Sequence, residues 1–203
     1  IEIIDSEVGE IKAEGIGRAY VGESRINAEM IEIGDSAELE IRGSEAELEE
    51  GIEIAEHGKL VIRGSRIESE GYVVEHKGKE AVKIEGSEAS GLEGLMLISG
   101  ESVIEGSTIE GTKTGIEIRD RAEIELRGVK VKSGETGVKI EGTRKREFKG
   151  IEIESGEISI ETEGSEIEIR ESVIEGRGRI KGTGSIEIID SEVGEIKAEG
   201  IGR

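Results

Sequence analysis

Two histidines are the side chains best suited to proton transfer or metal binding near neutral pH: His57 in AEHG and His76 in VEHKG. Each directly follows a glutamate, Glu56 and Glu75. A zinc-type set of His57, His76 and one Glu is the metal arrangement these ligand types would allow. Two exposed turn histidines, loosely paired with glutamates, account for the same letters more simply. Carboxylate chemistry on a sugar needs clustered acids, either as an acid/base pair or as calcium ligands. The four aspartates, Asp5, Asp35, Asp120 and Asp190, are scattered, and Asp190 is the counterpart of Asp5 in a repeated segment. No G-x-S-x-G, Walker or HExxH pattern occurs, and the chain has no cysteine for a thiolate site or disulfide frame. The residues therefore assign no catalytic, cofactor-binding or metal site.

The elements that carry these residues are read from a repeat. The most regular triplets start at Ile31, Ile52, Tyr72, Leu95, Ile116, Val138, Ile158 and Ile180, with five of the eight preceded by Gly (Gly51, Gly71, Gly94, Gly115, Gly137). A second slot runs beside it through Ile41, Ile62, Ile84, Ile104, Leu126, Phe148 and Ile169. Two ladders keeping one period of 20–23 residues are the mark of a solenoid. A three-residue strand turns two side chains inward and one outward, and Gly allows the sharp corner that follows. Three faces of about seven residues make one coil, and stacking buries what a single coil cannot. The expectation is an all-β parallel β-solenoid of about nine coils in a single domain, 1–203. Its core includes Ile33, Ile41, Ile54, Ile62, Val74, Ile84, Leu97, Ile118, Leu126, Ile140, Phe148, Ile160 and Ile169. One stretch breaks phase: after Ile16 an equivalent is due near position 37, yet the next strong triplet starts at Ile31. Either a face is relabelled across Ala19–Met30 or that stretch bulges.

Segments Ser102–Ile118 (SVIEGSTIEGTKTGIEI) and Val129–Thr143 (VKVKSGETGVKIEGT) resemble the repeats of the pectate-lyase-like right-handed β-helix superfamily. The resemblance implies a right-handed parallel β-helix, and as a scaffold likeness it points to no single activity. Asparagine ladders, internal aromatic stacks, a helical cap and long cleft loops are common in that family. Here there is one Asn (Asn27), three aromatics and almost no long loop. Residues 186–203 also copy residues 1–18 letter for letter, IEIIDSEVGEIKAEGIGR. Natural repeats drift, so the chain reads as an idealised, deliberately composed version of the fold.

Charge narrows the partners. Lys+Arg 27 against Asp+Glu 48 leaves −21, which argues against nucleic acid and anionic membranes. No apolar run approaches the ~20 residues of a membrane-spanning helix, and no signal peptide is visible. No small-molecule substrate and no localisation is assigned. The triplet centres Glu32, Glu53, Val73, Met96, Glu117 and Lys139 form an expected outward column, in which Val73 and Met96, beside Tyr72 and Leu95, make a small sticky patch for self-association. The duplicated ends offer another route, since they lie about 43 Å apart on a nine-coil rod spaced at ~4.8 Å and meet only between molecules. The leading expectation is a structural scaffold without enzymatic activity. The alternatives are a module joining head-to-tail through its duplicated ends and a carbohydrate- or divalent-cation-binding β-helix.

Overall fold

The computed structural model describes residues 1–142, 144–176 and 180–194. Every strand pairing in it is parallel, and each strand within the stack pairs with its equivalents one coil before and one coil after. Short β-branched runs with alternating polarity suit such strands, because one side chain set packs inward while the other meets water. Three faces result. One holds Glu38–Arg42, Lys59–Arg63 and Val82–Glu85; the second holds Arg66–Ser69, Glu88–Gly91 and Thr108–Gly111; the third holds Ile11–Ala13, Tyr72–His76 and Thr136–Glu141. Longer strands such as Glu45–Ile54 run through a corner and serve two faces.

Following one position through its pairings gives the coil number. Val8 stacks on Ile26, then Ala46, Ile67, Ala89, Ile109, Val131, Ile153, Ile174 and Val193. Val193 is the copy of Val8, so the duplicated segment returns in phase after nine coil steps. Residues 195–203 of that copy lie outside the described residues.

The expected core positions are all buried, with Phe148, Ile41 and Ile54 at 0% exposure. The second slot pairs as expected, Ile41 with Ile62 and Leu126 with Phe148. The first slot needs two corrections. Ile52 pairs with Val74 and Ile54 with His76, so the triplet of that coil is Val74-Glu75-His76 and not Tyr72–Val74. Val138 pairs with Ile160, so the later triplet is 160–162 and not one starting at Ile158. Near the start, Ile11 pairs with Ile31, and Ile16 is an exposed corner residue rather than a strand position. The phase break therefore needs no relabelled face, although the ladder does slip between Ala28 and Met30 against the strand above.

Two features hold the first corner. The residue entering it is left-handed in each coil: Asp5, Glu23, Gly43, Gly64, Gly86, Gly106, Gly128, Gly150, Glu171 and Asp190 have φ between 49° and 61°. The next residue is usually serine, and these serines form a ladder along the rod. The Ser24 amide donates to Ser44 Oγ (3.1 Å), Ser44 to Ser65 (3.2 Å), Ser65 to Ser87 (3.3 Å) and Ser87 to Ser107 (3.1 Å). Each hydroxyl donates in turn to the carbonyl two residues back, as Ser65 Oγ does to Arg63 O at 2.9 Å. Val129 and Ile151 interrupt the ladder, which resumes with Ser172 and Ser191. Buried amides at a turn need partners, and this side chain supplies them.

Candidate functional site

The groups capable of chemistry are held at different corners. His57 sits in a turn closed by the Gly58 amide on Ala55 O (2.9 Å), with its side chain exposed. Its Nδ1 lies 3.4 Å from Glu80 Oε1, and Lys59 Nζ is 3.7 Å from the other oxygen of that carboxylate. His76 occupies an inward position of the third face, between Ile54 below and Leu97 above, at 0% exposure. Burial pushes its pKa down to about 4, opposed in part by the Glu80 backbone. Neither ring nitrogen meets a partner at hydrogen-bond geometry, so the Glu80 backbone acts on the ring as a nearby dipole. The two histidines therefore face opposite ways, one to solvent and one to the core. The zinc-type set does not assemble, and no group of three or more His, Cys, Asp or Glu suited to a metal occurs among the described residues.

The aspartates serve corners. Asp5 and Asp190 take the left-handed position before a ladder serine, and Asp35 is also left-handed (φ 50°). Asp35 Oδ2 accepts the Gly15 amide at 2.9 Å, tying two successive coils. The side chain of Asp120 lies outside what the structure describes.

The sticky patch is corrected by the register. Val73 is 0% exposed, Leu95 2% and Met96 5%, and Tyr72 is half-buried. Val73 stands immediately before the triplet, the place filled by Gly51 and Gly94 in other coils, and packs within the corner. The outward column runs Lys12, Glu32, Glu53, Glu75, Met96, Glu117, Lys139 and Glu161. Its like charges are separated by cations two positions along the strand. Lys77 Nζ lies 3.3 Å from Glu53 and 2.9 Å from Glu75, and Arg119 Nε lies 3.1 Å from Glu117. These bonds raise the Lys77 and Arg119 pKa values.

A buried cation was missed in the sequence. Arg146 pairs with Ile167 in an inward column that also holds Leu39, Leu60 and Val82, and it is 4% exposed. Its guanidinium donates to Ser165 Oγ (3.2 Å), Arg144 O (3.2 Å) and Arg119 O (3.3 Å). Stepping two residues back from Phe148 would have found it, since the same step reaches an apolar residue from Ile41, Ile62 and Ile84. The surface over this region is an open trough of about 550 Å³ lined in part by Arg127, Arg144, Lys145, Glu123, Glu125 and Glu147. A second trough of about 570 Å³ is lined by Asn27, Glu29, Glu47, Glu49, Glu68 and Glu70 among others. The second trough also holds Ser69, whose Oγ accepts the Gly71 amide at 3.1 Å.

A family model described as "Right handed beta helix region" matches residues 72–201. The chain belongs to the right-handed β-helix family. No curated protein and no solved structure matched it. Membership supplies the hand of the coil, which strand pairing alone leaves open. The β-helix itself carries no single chemistry, because function resides in sites placed on a fold.

Proposed function

We propose that this β-helix is a structural scaffold without enzymatic activity, composed deliberately rather than inherited. The observation that carries the reading is the dispersal of its histidines and described aspartates. His57 and His76 face solvent and core respectively, and Asp5, Asp35 and Asp190 hold turns. Hydrolysis or elimination at a sugar needs acid and base within one substrate's reach, and the carboxylates of the outward column are engaged with lysine and arginine. The letter-perfect copy of residues 1–18 supports a composed origin. The test is turnover of pectin, polygalacturonate and neutral glucans, followed by ultraviolet absorbance and reducing ends with and without calcium. No turnover is expected, and turnover proportional to protein across separate preparations overturns the reading.

A second reading, head-to-tail assembly, is favoured by one observation. Val8 and its copy Val193 occupy the same phase of the coil nine steps apart. One copy could thus continue the stack that another copy begins, with a second molecule as the partner. Light scattering across a wide concentration range, on the chain and on a version lacking residues 186–203, tests it. Growth in mass that vanishes in the folded truncation supports assembly, and constant monomer mass in both rejects it.

A further inference from the structure

His76 is a basic side chain in a column that otherwise reads Ala13, Ile33, Ile54, Leu97, Ile118, Ile140 and Thr162. Its place is made by a shortened link in the coil above. Five residues (77–81) connect His76 to Val82, but only four (98–101) connect Leu97 to Ser102, which pairs with Val82. The ladder slips where that short link meets the next coil, between Leu97 and Ser99. Gly100 consequently lies against the ring, where a Cβ would come within 2.7 Å of His76 Cε1, 2.8 Å of Glu80 O and 2.9 Å of Gly78 O. A Cβ on Gly78 would come within 3.4 Å of Nε2.

Among the described residues, no charged side chain bonds the His76 ring. On its own strand Glu75 points outward to Lys77, and Glu53 of the coil below reaches the same Nζ. In the link, Glu80 is taken by His57 and Lys59. Of the remaining charged residues nearby, Glu56, Lys79 and Glu101, none bonds either ring nitrogen of His76. The Gly78 and Glu80 carbonyls border the same Gly100 position as the ring, and Gly78 O already accepts from Ser99 Oγ at 2.6 Å. A neutral ring fits this apolar slot, whereas a charged one loses its hydration without gaining a counter-charge.

We propose that His76 is an acid-sensitive latch, whose protonation frees the 77–81 link from the coils on both sides of it and opens the stack locally. The direction follows from linkage. A base whose pKa falls from 6.5 to about 4 on folding binds its proton more tightly in the opened chain. Its stabilising contribution is complete above pH ~6.5, declines as pH falls, and is exhausted below about 4. The folding constant should drop about 30-fold by pH 5 from this group alone, and about 300-fold at the acid limit.

The test compares the full chain with His76→Leu, a residue that suits a column holding Ile54 and Leu97, by urea denaturation at pH 7.5 and 5.0. Titration of surface carboxylates is common to both chains and cancels in their ratio. The variant's folding constant, relative to the parent, should rise about 30-fold between the two pH values. A ratio constant within threefold overturns the proposal. Should the variant not fold, proton NMR of the parent decides, with His57→Gln assigning the two imidazole signals. A His76 resonance unmoved from pH 7.5 to 5.5 supports the latch, and a midpoint above pH 6 rejects it. Hydrogen exchange reads the locality. The Lys77 and Lys79 amides, bonded to Ile54 O and Glu56 O, should lose protection at pH 5 before the Val173 amide does. Uniform loss along the rod overturns the local opening.

Discussion

Replacing Ser65 with alanine cuts the serine ladder at its middle. Ser65 is 4% exposed, and its Oγ accepts the Ser44 amide at 3.2 Å while donating to Arg63 O at 2.9 Å. The Arg63 carbonyl keeps a second donor, the Gly43 amide at 3.0 Å, so its loss is small. Ser44, itself 2% exposed, loses the hydroxyl that its amide reaches in the next coil. A buried donor left unsatisfied costs about 1–3 kcal/mol, which sets the expected destabilisation near 2 kcal/mol. Urea denaturation measures the total, and native-state hydrogen exchange measures the place. At ~1.4 kcal/mol per tenfold, the Ser44 amide should exchange about 30-fold faster. Ser6→Ala is the comparison, because Ser6 is exposed and its hydroxyl serves only Ile4 O, so less than about 0.5 kcal/mol is expected. The reasoning fails if Ser65→Ala costs no more than Ser6→Ala, or if Ser44 keeps its protection.

Glu23 sits at φ 50° in a corner where the next six coils place Gly, so Glu23→Gly should raise stability by about 0.5–1 kcal/mol, read as a higher denaturation midpoint. Phe148, fully buried, fills its column where the neighbouring coils use Leu126 and Ile169; Phe148→Ala should cost about 3–5 kcal/mol, checked by the same titration. Gly94→Ala would place a Cβ 2.0 Å from Gly115 O and should cost about 3 kcal/mol or more, while Gly9→Ala, with open space around its Cβ, should leave the midpoint unchanged.

Much of the fold was legible because its signals are local. Ile41, Ile62, Ile84 and Phe148 could be aligned by the Gly two residues on, which marks the left-handed corner at Gly43, Gly64, Gly86 and Gly150. The serine ladder was also written in plain letters, as Gly-Ser pairs at 43–44, 64–65, 86–87 and 106–107, but its meaning depends on hydrogen bonds between coils. The buried histidine and arginine were hidden differently. His57 and His76 look alike in sequence, each following a glutamate, yet one lies past the end of its strand and the other within it.

The amino-acid sequence by itself determined the period, the inward columns and the number of coils, since alternation and glycine corners act within a few residues. It left phase open at two places. Sliding a strand by one residue exchanges its faces, but sliding it by two returns every side chain to the same face. Tyr72-Val73-Val74 and Val74-Glu75-His76 are therefore both passable triplets to an alternation rule, as are Ile158-Ser159-Ile160 and Ile160-Glu161-Thr162. Only the stacked structure separates them. Val74 must meet the hydrogen bonds of Ile52 and Leu95 in fixed neighbouring coils, and the link lengths around it leave one position that does so. That choice places Val73 in the corner and turns His76 into the core, where its chemistry changes from a surface histidine's to a buried base's.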